Sequence, residues 1–387
     1  MDVEGAYRTI PVKPDHKRYI IVRFHDEYYM DHDVPFGAGS AHGLQGEVGD
    51  ATVDIFYSLR IHPVIKWVDD FNIFRFPSLA GPYTSTEFPS LRYEYDLPLI
   101  KFLTAPLGIP WHREKGQDFS SQFPYLGFQW DLTHKTVSIP EKKRIKHHFR
   151  LINFIAKCQL HQVLRKDVET INGSLAHLSF VHLRGRSRLP SLFQWLTTFP
   201  NEFTPRWPPP SVMTDLNWWL NKLTETTACR SLTLPVTPAN IDIWVDASTS
   251  WGIGILIDGR WDAWKVVEGW EAEGRNIMWL EAIAVEFVIG TIAALGHRDL
   301  HLLLRSDNTG VIGSFHKGRS RNFQVNFSIR RTELVLDASK LSFVSSYVQS
   351  ADNLADPISR GILPSLELQI VSGFSPSLDV SQYFTHV

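Results

Sequence analysis

Over the first 60 positions, apolar and polar residues alternate in short bursts, of which RYIIVRF and YYM are the clearest. A period of two predicts short strands separated by turns. A Pro/Gly turn, PFGAGSAHGLQG, then opens a helical stretch that ends near RIHP. VIKWVDDFNIF follows, two apolar arms about a pair of aspartates, which is a hairpin pattern. Residues 77–95 carry no period and read as loop; 96–106 read as helix. FPYLGFQWDL (123–132) and TVSIP (136–140) read as the arms of a second hairpin. Between 141 and 200 the spacing turns helical, with Phe149, Ile152, Ile155 and Ala156 on one face. FPNEFTPRWPPP (199–210) reads as a linker, because its prolines cannot continue a helix or a central strand. The helix TDLNWWLNKL comes next.

The texture changes at 240. IDIWVDAS alternates as a strand, and GIGILID-GR-WDAWKV reads as two strands around an Asp-Gly turn. IMWLEAIAVEFVIGTIAALG reads as a long apolar helix, LHLLLRSDN as a buried strand, RNFQVNFSIRRTELVLDAS as an amphipathic helix and LSFVSSYV as a strand. ADNLADPISRG closes the unit, and a Ser/Pro-rich tail begins at 363. Strands interleaved with helices predict an α/β (α+β) class. The expected organisation is 1–140, 141–236, 237–362 and a tail over 363–387.

Composition adds bounds. The chain has 387 residues, 43% apolar and 21% charged, which suits two or three globular domains. The apolar stretch 282–296 is short and carries Glu286, so it reads as a core helix rather than a membrane span. Two cysteines without metal-ligand spacing fit a reducing compartment, cytoplasm or nucleus. The net charge of −2 announces no polyanion partner, but residues 142–166 hold eight Lys or Arg and no Asp or Glu. That stretch is either a solvated helix face or a helix that tracks phosphates.

The acidic residues carry the chemistry. Asp69 and Asp70 repel each other at a hairpin tip, where they are either solvated turn residues or ligands of a hard divalent cation such as Mg²⁺ or Mn²⁺. Asp246, Glu281, Asp307 and Asp356 recur through the 240–360 unit. Each has a plain structural reading: a strand-end turn, a helix-dipole partner, a helix cap and a closing turn. In sequence order they end the first strand, sit on the first helix, end the fourth strand and sit on the final helix.

Four strings in order, DVEGAYR (2–8), PFGAGSA (35–41), WVDD (67–70) and YLGF (125–128), resemble the palm of retroelement reverse transcriptases of the gypsy-like and DIRS-like retrotransposon branches. Trp67 stands where that family commonly has Tyr. The resemblance implies an RNA-directed DNA polymerase site in which Asp2, Asp69 and Asp70 hold two metals and act on a primer-template and dNTPs. It also implies nucleotide or nucleic-acid contacts at Tyr7, Phe36, Gly37, Gln45, Lys115, Leu126 and Gly127, with thumb contacts at Lys142, Lys143 and Arg144. For Lys115 the alternative is a surface lysine. The family's fingers region precedes the first of these motifs. The expectation is therefore that this chain lacks the fingers, and nucleotidyl transfer by this chain alone or with fingers from another chain stays open.

WVDAS, WLEAIAV, SDNTGVI and NLADPISR resemble the RNase H domain of the same retroelements. This resemblance implies an RNase H-like α/β domain after a thumb and connection region. It implies that Asp246, Glu281, Asp307 and Asp356 are catalytic and bind two Mg²⁺ or Mn²⁺ ions. The implied activity is endonucleolytic hydrolysis of RNA in RNA–DNA hybrids. Lys317 and Arg319 would touch the hybrid backbone; a solvated loop is the plain alternative. NxxAD favours Asp356 over Asp352 as the fourth ligand. The alternative to an enzyme is a non-catalytic nucleic-acid-binding relic of a transposable element.

Overall fold

The computed structural model describes residues 1–226, 228–233 and 237–387. The chain divides into two compact units, 1–134 and 135–387. The expected boundary at 236 falls outside the described residues. The class is mixed α/β, as the alternating patterns predict.

In the first unit, β1 (Ile21–Phe24) and β2 (Glu27–Met30) form a hairpin exposed along its whole length. The helix α1 (Ala41–Ser58) buries Phe56 against Phe71 of the next hairpin, β3 (Val64–Trp67) and β4 (Asp70–Ile73). Ile100 of α2 (Leu97–Thr104) closes the same core. Trp67 pairs with Asp70, so Val68 and Asp69 form the turn. Val68 has φ 57°, a left-handed conformation that costs an L-residue about 1–2 kcal/mol.

The next hairpin lies within the first of the two expected arms. FPYLGFQWDL folds on itself as β5 (Gln122–Tyr125) and β6 (Phe128–Asp131). Leu126 and Gly127 make its turn, with φ 49° and 84°. Two successive positive φ values match the twist of a tight hairpin, and Leu-Gly lacks the Asn or Asp that usually signals it. In the second unit, TVSIP supplies β7 (Thr136–Ser138), which pairs antiparallel with a short strand remote in sequence.

The second unit continues with α3 (Glu141–Leu160), α4 (Arg165–Leu178), α5 (Pro190–Thr197) and α6 (Pro210–Thr224). They share a core that includes Leu151, Leu175, Leu192, Trp195, Leu216 and Trp219. The proline-rich segment is pinned to this bundle: Arg206 and Val163 exchange both backbone hydrogen bonds at 3.0 Å. Pro210 starts α6, where its missing N–H leaves no bond unmade. The partner of β7 is β8 (Cys229–Ser231).

A six-stranded sheet follows: β9 (Ile243–Ala247), β10 (Gly252–Ile257), β11 (Arg260–Val266), β12 (His301–Ser306), β13 (Ser342–Tyr347) and β14 (Phe384–His386). Its order is β13-β12-β9-β10-β11-β14. The neighbours β13, β12 and β9, from one edge inward, run parallel, and the remaining pairs are antiparallel. The helix α7 (Ile277–Ala294) is apolar on all sides, as a helix enclosed in a core must be, and 83% of it is buried. Its Glu286 is held by both arms of Arg331, at 2.7 and 2.9 Å.

Three elements complete the sheet's surroundings: α8 (Thr309–Lys317), α9 (Phe323–Ser339) and the single turn α10 (Asp356–Ser359). The helix α8 was hidden in the sequence between a strand and an amphipathic run. Residues 363–387, a tail by composition, return to the sheet. Phe374 lies edge-on to Trp264 and Phe287, and Phe384 enters the core from β14.

Candidate carboxylate site

Asp246 is the fourth residue of β9, a central strand, and is 3% exposed. Opposite it lies Gly254 of β10. A Cβ at Gly254 would stand 2.5 Å from the Ser359 nitrogen and 2.9 Å from the Ala355 carbonyl. Glycine therefore lets the turn α10 settle onto the sheet and deliver the Ser359 hydroxyl to Asp246 Oδ2. The other oxygen, Oδ1, accepts from Asn353 Nδ2 at 3.1 Å. That same amide donates to the Val245 carbonyl at 3.1 Å and to Asp307 Oδ1 at 3.5 Å.

Glu281 arrives from the first turns of α7, whose start is fixed by Asn276 accepting from the Trp279 N–H. Asp307 follows β12 directly, and Asn308 behind it caps α8. Oxygens of Asp246, Glu281 and Asp307 all lie within 4.8 Å of one another. Among the described residues this is the group of three possible ligands that converges so closely.

Burial and mutual repulsion hold these carboxyls above their ordinary range. Burial first, then the charges of Asp246 and Asp307, push Glu281 up to about 9. Burial also pushes Asp246 up to about 7, against the lowering effect of the Ser359 hydrogen bond and with Asp307 and Asp356 adding repulsion. Glu281 Oε2 is buried and has no hydrogen-bond partner. Hard oxygens, converging charge and an orphaned oxygen together fit a divalent cation of the Mg²⁺ or Mn²⁺ type.

The fourth expected ligand stands apart from the trio. Asp356 is half-buried at the start of α10, and Arg360 holds its carboxylate through three contacts of 2.8–3.0 Å. Asp352 is exposed on the preceding turn. Sequence reasoning missed Asn353, Ser359 and Arg360 as partners of the site. Their signal was in NLADPISR itself: a carboxamide before the acid, a hydroxyl and a guanidinium after it.

In the first unit, Asp2 and Asp70 face each other across a single antiparallel bridge, and Val3 donates to the Asp69 carbonyl at 3.1 Å. Asp2 Oδ2 lies 3.4 Å from Lys115 Nζ, while its Oδ1 is buried without a partner. Burial, then Asp2 and Asp69, raise the Asp70 carboxyl above its ordinary range. A cavity of about 270 Å³ opens beside them, lined by Asp2, Asp70, Phe74, Lys115, Phe123 and Tyr125. Tyr7 lies edge-on to the exposed Phe36 at 5.3 Å and bonds His42 through its hydroxyl at 3.0 Å. Gly37 has φ 88°. Gln45 is buried on α1, its Oε1 without a partner.

Of the basic residues, Lys142, Lys143, Lys317 and Arg319 are exposed. Arg144 is instead turned inward to Glu141 and the Leu223 carbonyl. Its charge is largely used within the bundle, because a guanidinium three residues from Glu141 on one helix face closes onto it.

No protein-family model matches this chain, and no curated protein matches it. Among solved structures, it is similar to the foamy viral protease-reverse transcriptase in complex with an RNA/DNA hybrid, over 97% of this chain and 46% of that one, at 13% identity and a TM-score of 0.43. It is also similar to the dRH form of that protein with double-stranded DNA, over 94% of this chain and 57% of that one, at 13% identity and a TM-score of 0.41. The chain thus spans about half the length of these two proteins.

Proposed function

We propose that the second unit is a divalent-metal-dependent ribonuclease acting on the RNA strand of RNA–DNA hybrids. The convergence of Asp246, Glu281 and Asp307 within 4.8 Å, with one buried glutamate oxygen left partnerless, carries this reading. The motif resemblance of WVDAS, WLEAIAV, SDNTGVI and NLADPISR supports it.

In this reading Asp246, Glu281 and Asp307 hold the metal, Asp356 contributes from the rim, and Mg²⁺ or Mn²⁺ when bound supplies water activation and leaving-oxygen stabilisation. Asn353 and Ser359 keep Asp246 oriented from behind. Lys317 and Arg319 meet backbone phosphates. RNA is distinguished from DNA by its 2′-hydroxyl. The test is cleavage of a labelled RNA strand in a hybrid with Mg²⁺ or Mn²⁺, beside Asp307→Asn. Cleavage by the parent and loss in the variant is the expected result. Binding without cleavage by the folded parent would leave a nucleic-acid-binding relic as the better account.

The Asp2–Asp70 bridge, with its orphaned Asp2 oxygen beside Lys115, favours a second reading for the first unit: nucleotidyl transfer from dNTPs to a primer. Asp69 and Asp70 on the hairpin turn would share the metals with Asp2. Lys142 and Lys143 would track the duplex. Primer extension on an RNA template, with Asp70→Asn as control, tests it.

A further inference from the structure

The tetrapeptide Gly-Arg-Ser-Arg occurs twice, at 185–188 and at 318–321. The two copies are far apart in the chain, yet α9 mounts them side by side. Asn326, 1% exposed, brackets Ser320: it accepts from the Ser320 N–H at 2.8 Å and donates to the Ser320 carbonyl at 2.9 Å. Arg330, one helical turn further, donates through Nε (3.2 Å) and Nη2 to the carbonyl of the fully buried Ser187. Residues four apart share a helix face, so one face of α9 grips the serine of each copy. The turns touch: a Cβ at Gly318 would stand 3.7 Å from Arg186 Cδ and from the Leu183 carbonyl.

This mounting brings together guanidinium groups of one sign. In the first copy's turn, Arg184 pairs with Asp337 and Arg188 with the buried Asp215. Arg186 lies between them, and among the described residues no carboxylate stands within ion-pair distance of Arg186, Arg230 or Arg319. Arg230 is held instead by the Phe180 carbonyl, at 3.2 Å, and by that residue's ring. The charges of Arg230 and Arg319 add to burial in making protonation of Arg186 harder than usual. A fold that fixes like charges together, while neutralising the arginines on either side of one of them, has left them for an external anion.

We infer that Arg186 and Arg319 form a phosphodiester-binding site for a nucleic-acid backbone, held in register by Asn326 and Arg330 of α9. The inference rests on the reading of this unit as one that handles nucleic acid. It adds Arg186, from outside the RNase H-like sheet, to the contact expected of Arg319.

The experiment is equilibrium binding of a fluorescent RNA–DNA hybrid, and of single-stranded RNA of the same length, in EDTA across a salt series. The proteins are the full chain, Arg319→Ala, Arg186→Ala, Arg186→Lys and the double alanine variant. Each phosphate contact contributes about 0.9 to the slope of log affinity against log salt. Each alanine variant is therefore expected to flatten the hybrid slope by about 0.9, and the double variant by about twice that. Between ~50 and ~200 mM salt this makes the affinity loss about 3.5-fold and about 12-fold smaller, respectively. Arg186→Lys keeps the slope. A flattening on single-stranded RNA as well assigns the phosphates to a lone strand; flattening on the hybrid alone assigns them to the duplex. Unchanged slopes in a parent that binds the hybrid overturn this site and leave the nuclease reading standing. A parent that binds neither nucleic acid overturns both. Arg319 is exposed, so its variant keeps the test decisive even if Arg186→Ala fails to fold.

Discussion

Replacing Glu281 with glutamine should stabilise the metal-free protein at alkaline pH while abolishing its response to metal. Two unit charges 4.8 Å apart repel by about 3.5 kcal/mol at an effective dielectric constant of ~20. Burial first, and then this repulsion from Asp246 and Asp307, push Glu281 up to about 9 from an ordinary 4.5. A carboxyl raised in the folded state keeps a proton that the unfolded chain has lost. Stability from this group therefore falls as pH rises through the window from 4.5 to about 9, and is independent of pH below it. At about pH 8 the gap amounts to roughly 5 kcal/mol as an upper bound, at 1.36 kcal/mol per unit. Glutamine keeps the volume and removes the charge, but its amide can leave a buried donor unmade, at a cost of about 1–3 kcal/mol. The net expected gain is about 2–4 kcal/mol near pH 8, turning into a loss of about 1–3 kcal/mol near pH 4, where only the amide's cost remains. The assay is urea unfolding in EDTA, followed by the fluorescence of the core residues Trp264, Trp270 and Trp279. Adding millimolar Mg²⁺ should raise the parent's midpoint through preferential binding to the folded state, and leave the variant's unmoved. A variant less stable than the parent at pH 8 in EDTA, or one that gains equally from Mg²⁺, would refute the reasoning.

Other consequences can be tested separately. Ser359→Ala removes the hydroxyl that fixes one Asp246 oxygen and should weaken Mn²⁺ binding about 10-fold or more, read by calorimetric titration at unchanged fold. Phe384→Ala empties a place beside Trp279 and Phe287 and should cost about 3–5 kcal/mol in urea unfolding, whereas a dispensable tail would show no change. Asp215→Ala strips the carboxylate that Arg188, Arg330 and the Ser191 hydroxyl share, leaving buried guanidinium charge unpaired. A loss of about 3–5 kcal/mol is expected by the same method.

Much of this molecule was legible because its signals are local. The period of two in IDIWVDAS, the Asp-Gly turn at 258–259 and the long apolar run of α7 each fix their own element whatever surrounds them. The resemblance to an RNase H domain implied that Asp246, Glu281, Asp307 and Asp356 converge at one edge of a sheet, and the first three do. FPYLGFQWDL was harder, because its turn uses Leu126 in a conformation that leucine rarely adopts. The pairing of β7 with β8 joins segments about 90 residues apart, and hydrogen bonds between remote backbones leave no trace in either segment's composition.

The sequence by itself determined which residues could carry the chemistry and which elements would hold them, since periodicity and turn chemistry act over a few residues. Tertiary structure alone decided the rest. It decided that Asp356 would be held by Arg360 while the other three acids converge. It brought Asn353 and Ser359 behind Asp246, returned the C-terminal residues to the sheet, and mounted two Gly-Arg-Ser-Arg turns on one helix face. These outcomes depend on distances between segments far apart in the chain. Such distances are set by packing and by the need to pair buried polar groups, which no local pattern encodes.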